Sequence, residues 1–501
     1  MTPKSKWTMA LAAAAFLVPA VLFAQATPAP PPKLEDVAKG VLDNTTSINF
    51  VWTLIAGFLV MFMQAGFAMV EVGLTRAKNA THTVAMNFMV YGIAMLGYWV
   101  LGFALQAGGV GALATLGGYD KLDGMFTIAI AGKTWGLFGT KGFFLTGVAY
   151  NASVFAYFLF QMVFMDTAAT IPTGALAERW KFSAFCVFSF FVGAIIYPIF
   201  GNWAWGGGWL SQLGSNAGLG SGYVDFAGSG VVHLTGGVIA VVTCKLLGAR
   251  VGKFNKDGTP NAFPGHNIPM AMYGTFILCF GWFGFNAGST LAGSDSRIAV
   301  IAVNTMLAGA AGGMSAMVYV WNKWGKPDPS MLANGTLAGL VAITAPCAFV
   351  TAPVAVLIGL LAGLFVSVSV GVVERTFKLD DPVGAISVHG VNGLFGLLCV
   401  GLFADGTYGG GTNNVVANVT GLFYGNPKQL AAQVIGIFAN ILWVGGSTFV
   451  AWKITGLVTK GHRVSAEIEL KGLDHDEMGV PAYIHDDGIS ANVSTPAKVA
   501  G

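Results

Sequence analysis

Two stretches of this 501-residue chain repeat one spacing of reactive side chains. From Asp225 the sequence reads DFAGSGVVHLTGG and from Asp381 it reads DPVGAISVHGVNG, both satisfying D-x-x-G-x-x-x-V-H-x-x-x-G. Each places a histidine, His233 or His389, eight residues after an aspartate and within an apolar run. A neutral imidazole has one donor and one acceptor nitrogen, so two such rings in contact must take complementary tautomers and can relay a proton. Asp225 and Asp381 suit helix N-termini, where a carboxylate caps free N–H groups and meets the positive end of the dipole. Two structural histidines packed between helices are the plainer reading of the same pattern.

The elements that must position these rings follow from composition. Hydrophobic residues make up 54% of the chain and charged residues 10%, whereas a soluble domain carries about 25% charged residues. Apolar runs fall near 51–70, 84–105, 152–175, 182–200, 226–247, 268–287, 298–321, 331–350, 354–373, 385–403 and 430–452. Each is long enough to cross about 30 Å of hydrocarbon as a helix. The expected fold is an all-α membrane protein of eleven transmembrane helices, in which the third span reaches Glu178 and so holds Asp166 within the membrane. The net charge of +3 is small and its basic residues are scattered, which argues against a nucleic-acid partner.

Residues 1–26 carry Lys4 and Lys6, an apolar stretch from Trp7 to Phe23 and Ala24-Gln25-Ala26, the pattern of a cleaved signal peptide. Residues 27–48 then form a periplasmic segment, 49–458 the eleven-helix domain and 459–501 a cytoplasmic tail. With the N-terminus outside, eleven crossings put the C-terminus inside. The inner loops then hold Arg76, Lys78, Arg179, Lys181, Lys245, Arg250, Lys253, Lys256, Lys323, Lys326, Arg375 and Lys378, against Lys121, Lys133, Lys141, Arg297 and Lys428 outside, as the positive-inside rule requires.

The two histidine motifs occur five crossings apart, so they run in opposite directions through the bilayer. That is the pattern of two five-helix inverted repeats plus a final helix, a design that puts the substrate path near the midplane between repeats. Eight residues of helix are about 12 Å, which carries both imidazoles from opposite faces to the middle of the core. The five cysteines lie in apolar segments with no metal or redox spacing and read as packing residues.

On these residues the chain resembles the ammonium transporter (Amt/Mep/Rh) family, from about Phe50 to Tyr483. The resemblance rests on GLTRAKN from Gly73, GALAERWKFSA from Gly174, WGGG from Trp205, DFAGSGVVH from Asp225, GWFGFNAGS from Gly281, VNT from Val303 and DDPVGAISVHGVNG from Asp380. It implies a transporter rather than an enzyme, with no cofactor or metal, in a bacterial inner membrane and as a homotrimer. It further implies an external recruitment site for ammonium at Trp205 and Ser289, a stacked phenyl gate of Phe164 and Phe285, and a pore pair of His233 and His389. Trp282, Phe160 and Gln161 would line the neighbourhood. Ammonium would give up its proton near the gate and ammonia would cross beside the histidines.

Several positions depart from the family pattern. Gly384 stands where a further aspartate often appears. Glu71, near the inner end of the first span, is expected to pair with Arg76 or Lys78, or else to line the inner vestibule. Asp166 is expected to hold hydrogen bonds with Ser or Thr neighbours. The tail segment GLDHDEMGVPAY from Gly472 resembles the one with which the family couples subunits and docks the P-II signalling protein, but Met478 and Val480 replace His and Glu. Two other classes also fit parts of the chain. An ammonium sensor of the same fold would keep Trp205, Phe285 and Ser289 and is expected to add a signalling domain. A membrane redox enzyme would use His233 and His389 as haem ligands in a cofactor-sized pocket.

Overall fold

Inside hydrocarbon every backbone N–H must find its acceptor within its own segment, so long apolar runs fold as helices. A computed structural model describes residues 33–118, 121–407 and 418–483 of the chain. The proposed signal segment 1–26 lies outside the described residues, as do residues 27–32 and the end of the tail from 484 onward. The helices in chain order are α1 (Leu34–Leu74), α2 (Ala77–Ala107), α3 (Ala152–Leu176), α4 (Phe182–Trp205), α5 (Ser229–Leu247), α6 (Ile268–Thr290), α7 (Arg297–Trp324), α8 (Pro329–Thr344), α9 (Ala352–Arg375), α10 (Ile386–Phe403) and α11 (Pro427–Thr459). Ten of these, among the described residues, are long and apolar enough to cross a membrane, and α8 is the shorter one. The protein is a multi-pass membrane protein.

The chain divides into two compact units, Met1–Ser47 and Ile48–Gly501. The described part of the first, residues 33–47, is helical and mostly exposed. The second holds the bundle.

The expected eighth span, 331–350, is helical only as far as Thr344, and residues 345–350 form buried turns. Protein groups take over the freed backbone there. Asn304 Nδ2 donates to the carbonyls of Cys347 and Val350 at 3.0 and 2.8 Å, and the amides of Phe226 and Ala227 donate to Ala345 and Thr344. Non-helical backbone at membrane depth is tolerated where protein rather than lipid surrounds it. The third span likewise ends short of the sequence expectation: α3 stops at Leu176, and Glu178 has φ of 72°, outside any right-handed helix.

Four helices contain a turn of π-helix: Tyr98–Gly102 in α2, Val192–Ile196 in α4, Ser229–Leu234 in α5 and Ile386–Val391 in α10. Such turns rotate the residues beyond them relative to a regular helix and recur at functional positions. The last two hold His233 and His389.

One element has no counterpart in the helix pattern. Between α2 and α3, β1 (Met125–Ile130) pairs antiparallel with β2 (Lys133–Gly139). The connecting Ala131 and Gly132 both have positive φ, 52° and 74°, which is the twist a two-residue hairpin favours.

Candidate functional site

The site begins with two carboxylates. Asp225 accepts from the backbone amides of Gly228, Gly230 and Val231 at 2.8–2.9 Å, which fixes the start of α5. Asp381 accepts from Gly384 and Ile386 at 3.0 and 2.7 Å and does the same for α10. Each satisfies N–H groups that a helix start leaves without partners. From those fixed starts, α5 and α10 run into contact, and His233 and His389 meet.

Their Nδ1 atoms are 3.2 Å apart and their ring centroids 5.2 Å apart at 26°. One Nδ1 must donate and the other accept. The other nitrogen of His233, Nε2, is buried with no hydrogen-bond partner, an exception among buried polar groups that calls for an explanation. Two axial ligands of one haem iron would stand about 4 Å apart, at about 2 Å per metal–nitrogen bond, with the porphyrin between them. Rings in direct contact at 3.2 Å do not leave that space.

An unbroken series of rings continues from the pair. His233 stacks on Phe285 and Trp282, each with centroids 5.4 Å away. Phe285 stacks on Phe164 at 4.1 Å and 22°. Phe164 in turn touches Phe160 at 4.6 Å and meets Trp205 edge-on at 6.2 Å. Polar anchors hold these rings. Trp282 Nε1 donates to the Thr344 hydroxyl at 2.9 Å, and Trp205 Nε1 donates to the carbonyl of Asp225 at 2.7 Å. Ser289, one turn beyond Phe285, donates its hydroxyl hydrogen to the Phe285 carbonyl at 2.8 Å. On the other side of the pair, Phe67 lies 6.2 Å from His389.

Gln161 is drawn elsewhere. Its side-chain oxygen accepts from Gln106 of α2 at 3.0 Å, and Gln106 accepts from the Tyr98 hydroxyl. Thr344, which fixes Trp282, gives no signal in the sequence, because its partner is 62 residues away.

Two readings of single residues are corrected. Glu71 pairs with neither Arg76 nor Lys78. Arg76 is bound to Glu178, Lys78 donates to the carbonyls of Glu469 and Leu470, and Glu71 instead accepts from Asn87 and Thr173. Asp166 receives no side-chain hydrogen bond from its threonines. Thr167 and Thr170 donate to the carbonyls of Val163 and Asp166 one turn back, and Asp166 Oδ1 is buried without a partner. Gly384, one of the departures from the family pattern, has φ of 80°, a conformation glycine adopts without strain.

At the ends of α3, α5 and α9 lies a second charged centre. Arg250 bonds both oxygens of Asp380 at 2.9 Å and meets Glu178 at 3.0 Å. Arg179 donates to the Asp380 carbonyl at 2.7 Å. The tail packs nearby: Asp474 accepts from the amides of Thr81 and His82, Glu477 from that of Phe182, and Glu469 from that of Val251. Tyr483 reaches His266 Nε2 at 2.8 Å.

A membrane bundle with two histidines in contact under stacked aromatic rings defines a polytopic membrane protein with a buried polar pair in its core. The sequence matches the Ammonium Transporter Family over residues 51–483, and the chain belongs to that family. It is 48% identical to ammonium transporter Amt2 of Archaeoglobus fulgidus over 440 residues, covering 87% of this chain and 88% of that one. It is 33% identical to ammonium transporter 1 member 3 of Solanum lycopersicum, covering 88% and 94%. Among solved structures it resembles a sensor Amt protein with a TM-score of 0.74 and 36% identity, over 87% of this chain and 99% of that one. It also resembles Candida albicans Mep2, with a TM-score of 0.67 and 25% identity over 83% and 84%.

Proposed function

We propose that the protein transports ammonium by separating it into ammonia and a proton. Trp205 and Ser289 gather the cation at the outer mouth, where an aromatic face returns about 0.5–2 kcal/mol by cation–π attraction. The Phe164–Phe285 stack closes the way below. The idealised cost of carrying a bare charge into the dry pore is of order 20 kcal/mol, far more than the aromatics return. Ammonium escapes that cost by losing a proton, whereas potassium has none to lose. Ammonia then passes beside the histidines, with the free Nε2 of His233 as a polar partner, while the proton moves along the imidazole pair. Asp225 and Asp381 support the two helices. Phe160, Trp282 and Gln161 shape the walls.

The observation that carries this reading is the stacking of the phenyl pair directly on a histidine that itself touches a second histidine. The sequence pattern and the family together support the remaining parts of the proposal. These are eleven crossings with the N-terminus outside and the C-terminus inside, counting α8 with its buried turns, and two five-helix inverted repeats. They also include the division into 1–26, 27–48, 49–458 and 459–501, a bacterial inner membrane, a homotrimer and a P-II protein at the tail. The protein acts as a transporter rather than an enzyme.

Currents in proteoliposomes test this. Ammonium is expected to evoke a current, potassium none, and His233→Ala to lose the ammonium response. Equal currents with both ions defeat the deprotonation mechanism. Ammonium binding without any current turns the reading toward a sensor, a name carried by one protein of this fold.

A further inference from the structure

Glu71 lies three residues before the end of α1 and is 3% exposed. A carboxylate at that depth is costly and usually has a function or an ionic partner. Among the described residues it has no ion pair. Its contacts are polar and neutral: Asn87 Nδ2 of α2 donates to Oε2 at 2.7 Å, and the Thr173 hydroxyl of α3 lies 2.8 and 2.9 Å from its two oxygens. Gly174 backs the carboxyl group, since a Cβ there would come within 3.0 Å of Oε1. The nearby negative group is Asp381 at the start of α10.

The open side of Glu71 faces a cavity. Its walls include Phe67, Glu71, Asn334, Val383, Val388 and His389, and it has room for a water molecule. The walls are otherwise mainly apolar. Glu71 and His389 are thus the two proton-exchanging groups of one small chamber, on the side of the histidine pair away from the phenyl stack.

We infer that Glu71 is the acceptor for the proton leaving the histidine pair, a role that rests on the transport reading above. An N–H of the His389 imidazolium gives its proton, through water in the chamber, to the Glu71 carboxylate. This leaves a neutral imidazole and a carboxylic acid. The acid releases the proton to water at the inner mouth and the carboxylate is restored. Asn87 and Thr173 hold the carboxyl group facing the chamber throughout.

The competing role is structural, with Glu71 simply tying α1, α2 and α3 together. Glu71→Gln keeps an oxygen for Asn87 and Thr173 but cannot carry the proton. Its ammonium-evoked current in proteoliposomes is expected to fall at least about tenfold, the lower end of what a proton-transfer group contributes being about a hundredfold. The thermal unfolding midpoint in detergent is expected to stay near that of the wild type, and Glu71→Asp to recover much of the current. A wild-type current in Glu71→Gln overturns the inference, as does an equal loss in Gln and Asp variants. A wild type with no ammonium current overturns the transport reading itself, and this role with it.

Discussion

Gly237 of α5 faces Gly390 of α10 so closely that a Cβ built on Gly237 would come within 2.3 Å of the Gly390 Cα and 2.4 Å of its nitrogen. Gly237 is one turn past His233 and Gly390 adjoins His389, so this contact sets how near the two rings come. Backbone is on the far side and has nowhere to yield. Gly237→Ala is therefore expected to push α5 and α10 apart and remove most of the ammonium current with both imidazoles still present. Gly446→Ala, where a Cβ meets nothing within 4 Å, serves as the control and is expected to behave as wild type. Liposome currents of the two variants, normalised to protein reconstituted, make the comparison.

The histidines act as a unit if one tautomer depends on the other. Their Nδ1 atoms share a single hydrogen at 3.2 Å, and residues that act as a unit show strongly non-additive losses. His233→Ala and His389→Ala are each expected to reduce the current by an order of magnitude or more, about what loss of a proton-transfer group costs. The double variant is expected to be no worse than the weaker single. Losses that multiply would mean the rings serve separate steps.

Much of this arrangement is legible in the sequence. The apolar runs mark most helices to within a few residues, although α1 begins 17 residues before its run and α2 seven, and the repeated spacing of aspartate and histidine singles out two rings of seven. Long-range pairing is what the spacing cannot convey. Arg76 looks available to Glu71 five residues away, yet Glu178, at a separation of 102, takes it. Thr170 looks placed to satisfy Asp166, yet its hydroxyl is drawn to the Asp166 backbone carbonyl and to Gln64 of α1. The end of α8 at Thr344 is invisible for the same reason, because the groups that receive the freed backbone come from Asn304 and Phe226. The β1–β2 hairpin does carry a local signal. The run FTIAI, then Ala-Gly, then KTWGLFG alternates with period two about a two-residue turn.

Asp380 gives the stability a definite pH dependence. Burial would raise its carboxyl group, but hydrogen bonds from Arg250 and the charges of Arg179 and Arg250 outweigh burial and hold it down at about 2, from its ordinary 3.8. A depressed carboxylate stabilises the fold above its unfolded value and loses that contribution as pH falls through the folded one. The protein is thus expected to keep this contribution above about pH 4 and to lose it between about pH 4 and 2, by about 2 kcal/mol at ~1.4 kcal/mol per unit. Unfolding midpoints in detergent measured from pH 6 to pH 2 check it, with Asp380→Asn flattening the slope. Arg250→Ala leaves Glu178 and Asp380 buried without their shared cation and is expected to cost about 3–5 kcal/mol at neutral pH.

The phenyl stack makes a prediction about ions that have no proton to lose. Phe164 and Phe285 lie face to face at 4.1 Å, and both are buried. Closed in this way they leave no aqueous route to His233, so an ion would cross only by shedding its water, and a hydrophobic constriction gates by staying dry. Replacing both with alanine opens the constriction to water and lowers the barrier that excludes a bare charge. The Phe164→Ala, Phe285→Ala double variant is expected to carry a potassium current that the wild type lacks, whereas Phe285→Leu, which keeps the bulk, is expected to remain closed to potassium. Proteoliposome recordings with potassium as the only permeant cation read the difference directly. A double variant that still excludes potassium would place the barrier deeper, at the histidines themselves.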